Sequence, residues 1–145
     1  MEVFIISPTL LKGWPVLVAD DEPDSLLVAQ RLLKKCGAEV LTASNGKLGL
    51  QLATQRRPRF IISDLSMPEM SGWEMLYNLK NTPITADIPV VALTAHAMTG
   101  DRERAMEAGF HNYLTKPLRP ETFINELLNL LLDIPSINMQ LKVSP

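Results

Sequence analysis

Five short apolar runs alternate with five longer segments of helical character along the 145 residues, and this rhythm restricts the fold more than any other feature. The runs are residues 15–20 (PVLVAD), 38–43 (AEVLTA), 60–64 (FIISD), 88–93 (IPVVAL) and the weaker 110–114 (FHNYL). Continuous aliphatic runs predict strands covered on both faces, because a half-exposed strand alternates apolar and polar residues. Residues 23–36 predict a helix. Pro23 suits its first turn, Leu26, Ala29, Leu33 and Cys36 share one face, and Gly37 supplies the stop. Residues 72–80, 99–108 and 120–132 are also helical in pattern, with Gly109 closing the second and Pro120 opening the third. Residues 44–56 read both ways. Asn45-Gly46 and the alternation of Leu48, Leu50 and Leu52 suit a hairpin, whereas Leu48, Leu52 and Ala53 behind a Ser44 or Asn45 cap suit a helix. Gly49 weakens the helix by about 1 kcal/mol, but the surrounding alternation favours it. The whole is βαβαβαβαβα, an α/β fold with a parallel sheet, helices on both faces and right-handed crossovers.

The length and the 46% hydrophobic content suit one domain with a real core. A net charge of −2 argues against general attraction to nucleic acid or anionic membrane. Cys36 is the one cysteine, so no internal disulfide forms and a reduced, cytoplasmic setting is expected. No window has the length of a membrane span, and Glu2 and Pro8 do not suit a signal peptide. Residues 1–13 read as an N-terminal extension, 14–133 as the domain and 134–145 as a tail punctuated by Pro135 and Ser136.

In open parallel sheets, ligands bind beyond the carboxyl ends of the strands. The first strand ends at Asp20-Asp21, the third at Asp64, the fourth at Thr94, and Lys116-Pro117 follows the fifth. Asp20, Asp21, Asp64 and Lys116 sum to −2, and crowded carboxylates raise one another's pKa unless a cation joins them. Mg²⁺ fits, being a hard cation that takes carboxylates, waters and phosphate oxygens. It brings the sum to zero, so a phosphoryl group can approach, with Lys116 and Thr94 placed to contact its oxygens. An EF-hand is a rival, since Asp20, Glu22 and Asp24 have 1-3-5 spacing. Its sixth position is Ser25 rather than glycine and its twelfth is Arg31 rather than glutamate. Glu22 and Asp24 read as a solvated helix start favoured by the helix dipole. His111 reads as exposed.

The pieces "ADDEPDS", "SDLSMPEMSG", "LTAHAM" and "AMEAGFHNYLTKPL", in this order, resemble the receiver domains of two-component response regulators over residues 14–133. The resemblance implies a flavodoxin-like doubly wound sheet of order 2-1-3-4-5 with five helices, and makes 46–56 the second helix. It implies that Asp64 accepts a phosphoryl group from a phosphohistidine on a sensor histidine kinase or histidine phosphotransfer protein. Asp21 would bind Mg²⁺ directly, Asp20 through water, and Asp64 and the Ser66 carbonyl would complete the protein ligands, with Mn²⁺ able to substitute. Thr94, Ala95 and Lys116 would bind the phosphoryl oxygens, with a cis Lys116-Pro117 peptide. Thr94 and Tyr113 would form the switch, and Ser66 and His96 would set phosphoryl lifetime. The output would be protein contact through the fourth helix, fifth strand and fifth helix, to a downstream target or in a homodimer, as expected of a stand-alone receiver without nucleic-acid or membrane contact.

Two other classes compete. A haloacid-dehalogenase-like phosphohydrolase carries a second aspartate two residues after its nucleophile, where this chain has Ser66. A phosphorylation-independent scaffold has no need of Asp21, Asp64, Thr94 and Lys116 together. The last predicted helix is unusually apolar (Phe123, Ile124, Leu127, Leu128, Leu130, Leu131, Leu132), and a stripe that wide is more often core than interface.

Overall fold

A computed structural model describes residues 2–95 and 100–143. The elements are β1 (Pro15–Ala19), α1 (Pro23–Lys35), β2 (Glu39–Ala43), α2 (Gly46–Arg56), β3 (Phe60–Asp64), α3 (Gly72–Lys80), β4 (Val90–Thr94), α4 (Asp101–Ala108), β5 (Asn112–Thr115), α5 (Phe123–Leu131) and α6 (Pro135–Val143). The five strands form one parallel sheet of order β2-β1-β3-β4-β5. Both the α/β reading and the strand order hold.

Strand residues alternate between two cores. Val16, Val18, Phe60, Ile62, Val91 and Leu93 face α1 and α5, while Leu17, Ile61, Val90 and Ala92 face α2, α3 and α4. Burial on both sides explains why β1, β3 and β4 carry no polar alternation. Ala29, Leu33 and Cys36 of the first helical segment are fully buried in the first core. Segment 46–56 is a helix, capped by Asn45, whose Oδ1 accepts from the Leu48 amide at 2.8 Å. Gly49 has a packing reason: a Cβ there would lie 2.7 Å from the Met75 sulfur of α3. Ser71 and Glu74 form a reciprocal capping box that starts α3.

Among the described residues the helices number six rather than five. The segment read as a tail contains α6, whose Ile137 and Leu141 are buried in the first core. Proline at a first helical position starts a helix as readily as it ends one, and the four-residue spacing of Ile137 and Leu141 gives the face.

The N-terminal segment packs on the domain. The Glu2 and Phe4 amides donate to the side-chain oxygens of Asn129 and Asn125 on α5, both at 2.8 Å, and Leu11 is fully buried. Phe4 and α6 therefore add to the apolar surroundings of α5. Its residues Phe123, Ile124, Leu127, Leu128 and Leu131 are buried, so the wide stripe is core. Among the described residues, no helix is long and apolar enough to cross a membrane.

Candidate functional site

Parallel register brings the strand ends to one rim. Ala19 pairs with Ala43 and Ser63, Asp64 with Leu93, and Thr94 with Thr115. The chain leaves β1 through Asp20, fixed by its amide on the Ala43 carbonyl at 2.9 Å. It leaves β5 through Lys116, whose amide donates to the Thr94 carbonyl at 2.8 Å. The Lys116-Pro117 peptide is cis. Asp20, Asp64 and Thr94 are buried, whereas Asp21 is exposed.

The centre of the rim is the Lys116 ammonium. Its Nζ lies 3.1 Å from Asp20 Oδ1, 2.5 Å from Glu22 Oε1 and 2.9 Å from Asp64 Oδ2. An ammonium has three protons, and three carboxylates engage them. Burial alone pushes the ammonium pKa down, but Glu22, Asp64 and Asp20 more than reverse this and hold it above its ordinary value. For Asp20 burial wins. It is raised to about 6, although the Glu22 amide and Lys116 pull it down. The Glu22 amide donates to Asp20 Oδ1 at 2.9 Å. Asp20 Oδ2 lies 3.0 Å from the ammonium without hydrogen-bonding alignment, and is a buried oxygen with no hydrogen-bond partner among the described residues. Asp64 Oδ1 accepts from the Leu65 amide at 2.6 Å and the Ser66 amide at 3.3 Å.

Asp20, Asp21 and Asp64 offer oxygens that all lie within 4.8 Å of one another. The donor set is all hard oxygen, the local charge is negative, and Asp20 has an oxygen to spare. These properties fit a divalent cation of the Mg²⁺ type.

The other sequence-derived positions fall around this centre. Ser66 is exposed two residues beyond Asp64, and Ala95 is exposed just after β4. His96 lies outside the described residues. Tyr113 is half-buried on β5 opposite Ala92, where burial raises its phenol pKa and Asp101 of α4 adds to the rise. Two expectations need correction. Glu22 does not stand simply as a solvated helix start, because it reaches Lys116. His111 is half-buried rather than exposed, with Nε2 2.9 Å from the Leu130 carbonyl oxygen and 2.8 Å from Asp133 Oδ1. The turn into α6 puts those acceptors beside it. For Glu22 the signal was its place directly after the acidic pair, where any distant cation bound by the pair also comes within reach.

A glycine holds the Asp64 backbone in place. The Gly72 amide donates to the Leu65 carbonyl at 2.9 Å, and a Cβ at Gly72 would lie 2.0 Å from the Asp64 carbonyl oxygen. Both partners are backbone, so neither can rotate away. Gly72→Ala is expected to lower stability by about 2–4 kcal/mol, read from urea midpoints. An unchanged midpoint would show that the loop yields freely.

The family model described as "Response regulator receiver domain" matches residues 16–128. The polar-differentiation response regulator DivK of Brucella anthropi is 35% identical over 118 residues, covering 81% of this chain and 96% of that protein. The chemotaxis response regulator CheY4 of Vibrio cholerae superposes with a TM-score of 0.76 at 30% identity, covering 81% of this chain and 98% of that one. The receiver domain of the sensor histidine kinase PA1611 from Pseudomonas aeruginosa has a TM-score of 0.73 at 27% identity, covering 82% and 98%, and was solved with a magnesium ion coordinated in its active-site cleft. With its sheet order, its acidic rim and its lysine on the fifth strand's exit, this chain belongs to the response regulator receiver domains of two-component signalling.

Proposed function

We propose that Asp64 is the phosphoacceptor of this receiver, taking a phosphoryl group from a phosphohistidine on a sensor histidine kinase or histidine phosphotransfer protein. One observation carries the reading: a buried ammonium 2.9 Å from Asp64 Oδ2, beside three carboxylates close enough to share a cation. In the transfer, an Asp64 carboxylate oxygen forms a bond to phosphorus while the phosphorus–nitrogen bond breaks and its electron pair returns to the imidazole. The Asp64 side chain goes from −1 to about −2. The Leu65 and Ser66 amides orient the carboxylate through Oδ1, so the attacking group is positioned before the donor arrives. Lys116 holds charge on the phosphoryl oxygens, with Thr94 and Ala95 as further contacts.

Asp20, Asp21 and Asp64 would hold Mg²⁺ or Mn²⁺, with the Ser66 carbonyl. When bound, the ion neutralises the cluster and stabilises charge on the phosphoryl oxygens. The magnesium in the PA1611 receiver supports this assignment. Ser66 and His96 tune phosphoryl lifetime. Thr94 and Tyr113 relay the state to α4, β5 and α5, the surface for a downstream protein or a second copy, in a cytoplasmic setting.

The test is incubation with acetyl phosphate and Mg²⁺, followed by mass spectrometry and borohydride reduction to locate the acyl phosphate. Modification at residue 64 is expected. No adduct on a folded protein would favour a scaffold, and fast turnover of unrelated phosphate esters would favour a hydrolase.

The pH dependence follows from Asp20. Its pKa is raised to about 6 in the fold against 3.8 for an ordinary aspartate. The folded state therefore binds more protons between these values, and ionisation of Asp20 opposes folding. In EDTA, the stability of the wild type relative to Asp20→Asn should fall by on the order of 3 kcal/mol as pH rises from about 4 to about 6. Denaturant titrations at several pH values check this; a difference that rises with pH would refute the sign.

A further inference from the structure

We infer that Glu22 is a positioning residue that latches Lys116: its carboxylate occupies the ammonium proton that an incoming phosphoryl oxygen needs. The inference rests on Asp64 being the phosphoacceptor. All three ammonium protons are engaged, by Asp20, Glu22 and Asp64. A phosphoryl oxygen can bind Lys116 only when one partner withdraws. Asp20 is fully buried and tied to the Glu22 amide. Asp64 meets Lys116 through Oδ2 while the Leu65 amide fixes its Oδ1, and as the nucleophile it must keep that position for the attack. The Glu22 side chain is 59% exposed, so water receives it easily.

The local structure gives a second reason. Glu22 is the N-cap residue of α1, yet its side chain makes no capping bond. An aspartate there would be short enough to accept from the helix's own amides, whereas the longer glutamate is not a usual capping residue and is left to reach outward. Here it turns to Lys116 instead, 94 residues away in sequence, at 2.5 Å. Its negative charge also lies beside the site where the phosphoryl group must arrive. Glu22 therefore opposes phosphorylation twice, by contact and by charge, and releasing it is part of the approach of the donor.

The two effects can be separated with Glu22→Gln and Asp24→Asn. Asp24 is an exposed carboxylate in the first turn of the same helix. Beryllofluoride, a phosphoryl mimic, is titrated by calorimetry at saturating Mg²⁺ against wild type, both variants and Asp64→Asn. Glu22→Gln should bind it roughly three- to tenfold more tightly, with a matching fall in the acetyl phosphate concentration that half-saturates modification. Asp24→Asn should match wild type. The ¹⁵N-detected Lys116 ammonium resonance should move in Glu22→Gln and stay in Asp24→Asn. Wild-type affinity in Glu22→Gln, or an equal gain in Asp24→Asn, overturns the latch while leaving the phosphoacceptor in place. Absence of an Asp64-dependent adduct in the wild type overturns both.

Discussion

Asp64→Asn is expected to abolish phosphoryl incorporation, with at least about a hundredfold loss of adduct under acetyl phosphate and Mg²⁺. The amide is a poor nucleophile and carries no charge to help hold a cation. It keeps the shape, however, and its Oδ1 can still accept from the Leu65 amide as the carboxylate does at 2.6 Å. Stability should therefore stay within about 1 kcal/mol of wild type, which separates a chemical loss from a folding one. Intact-mass spectrometry reads the first and urea denaturation the second. Full incorporation in the folded variant would move the phosphoacceptor elsewhere.

Lys116→Met carries the second large effect, and it falls on the fold as well as the chemistry. The side chain is nearly buried, and it is the cation in contact with buried Asp20 and Asp64. Its removal leaves carboxylates facing one another without compensation. Removing one partner of a buried pair costs about 3–5 kcal/mol, and protonation of Asp20 trims this near or below its raised pKa of about 6. In EDTA at neutral pH, a loss of about 3 kcal/mol is expected. Saturating Mg²⁺ should recover part of it, because the ion binds the folded state and restores positive charge to the cluster. Equal urea midpoints for wild type and variant, with and without Mg²⁺, would count against the electrostatic account.

These effects explain why the sequence was informative where it was. Buried parallel strands announce themselves as unbroken aliphatic runs, and Asp20, Asp21, Asp64, Thr94 and Lys116 stand at or just past their ends. Parallel register then converts strand order into proximity, so residues 96 positions apart meet at 3.1 Å. What escaped the sequence reading depends on side chains choosing between partners. Glu22 could cap α1, enter water or bind Lys116, and its spacing is the same in all three cases. His111 gained its partners from the turn at residues 130–133. That turn is itself hidden in the sequence, because Pro135 suits the end of a helix as well as the start of α6. Gly49 looks like a weak helix position and Gly72 like an ordinary helix start, and only the neighbouring chain reveals that they leave room for Met75 and for the Asp64 carbonyl.

Lys116 leaves the sheet from β5, which has a neighbour on one side only. Edge strands open with less free energy than central ones. Fraying of β5 alone would carry the lysine away while Asp20 and Asp64 stay on the central strands β1 and β3. On the proposed reading, chemical competence would depend on the edge strand β5 and would end before the protein unfolds. Amide exchange at residues 112–116 should report it earlier than any global probe of denaturation, and a ligand bridging Lys116 and Asp64 acts as a clasp on the sheet's open side.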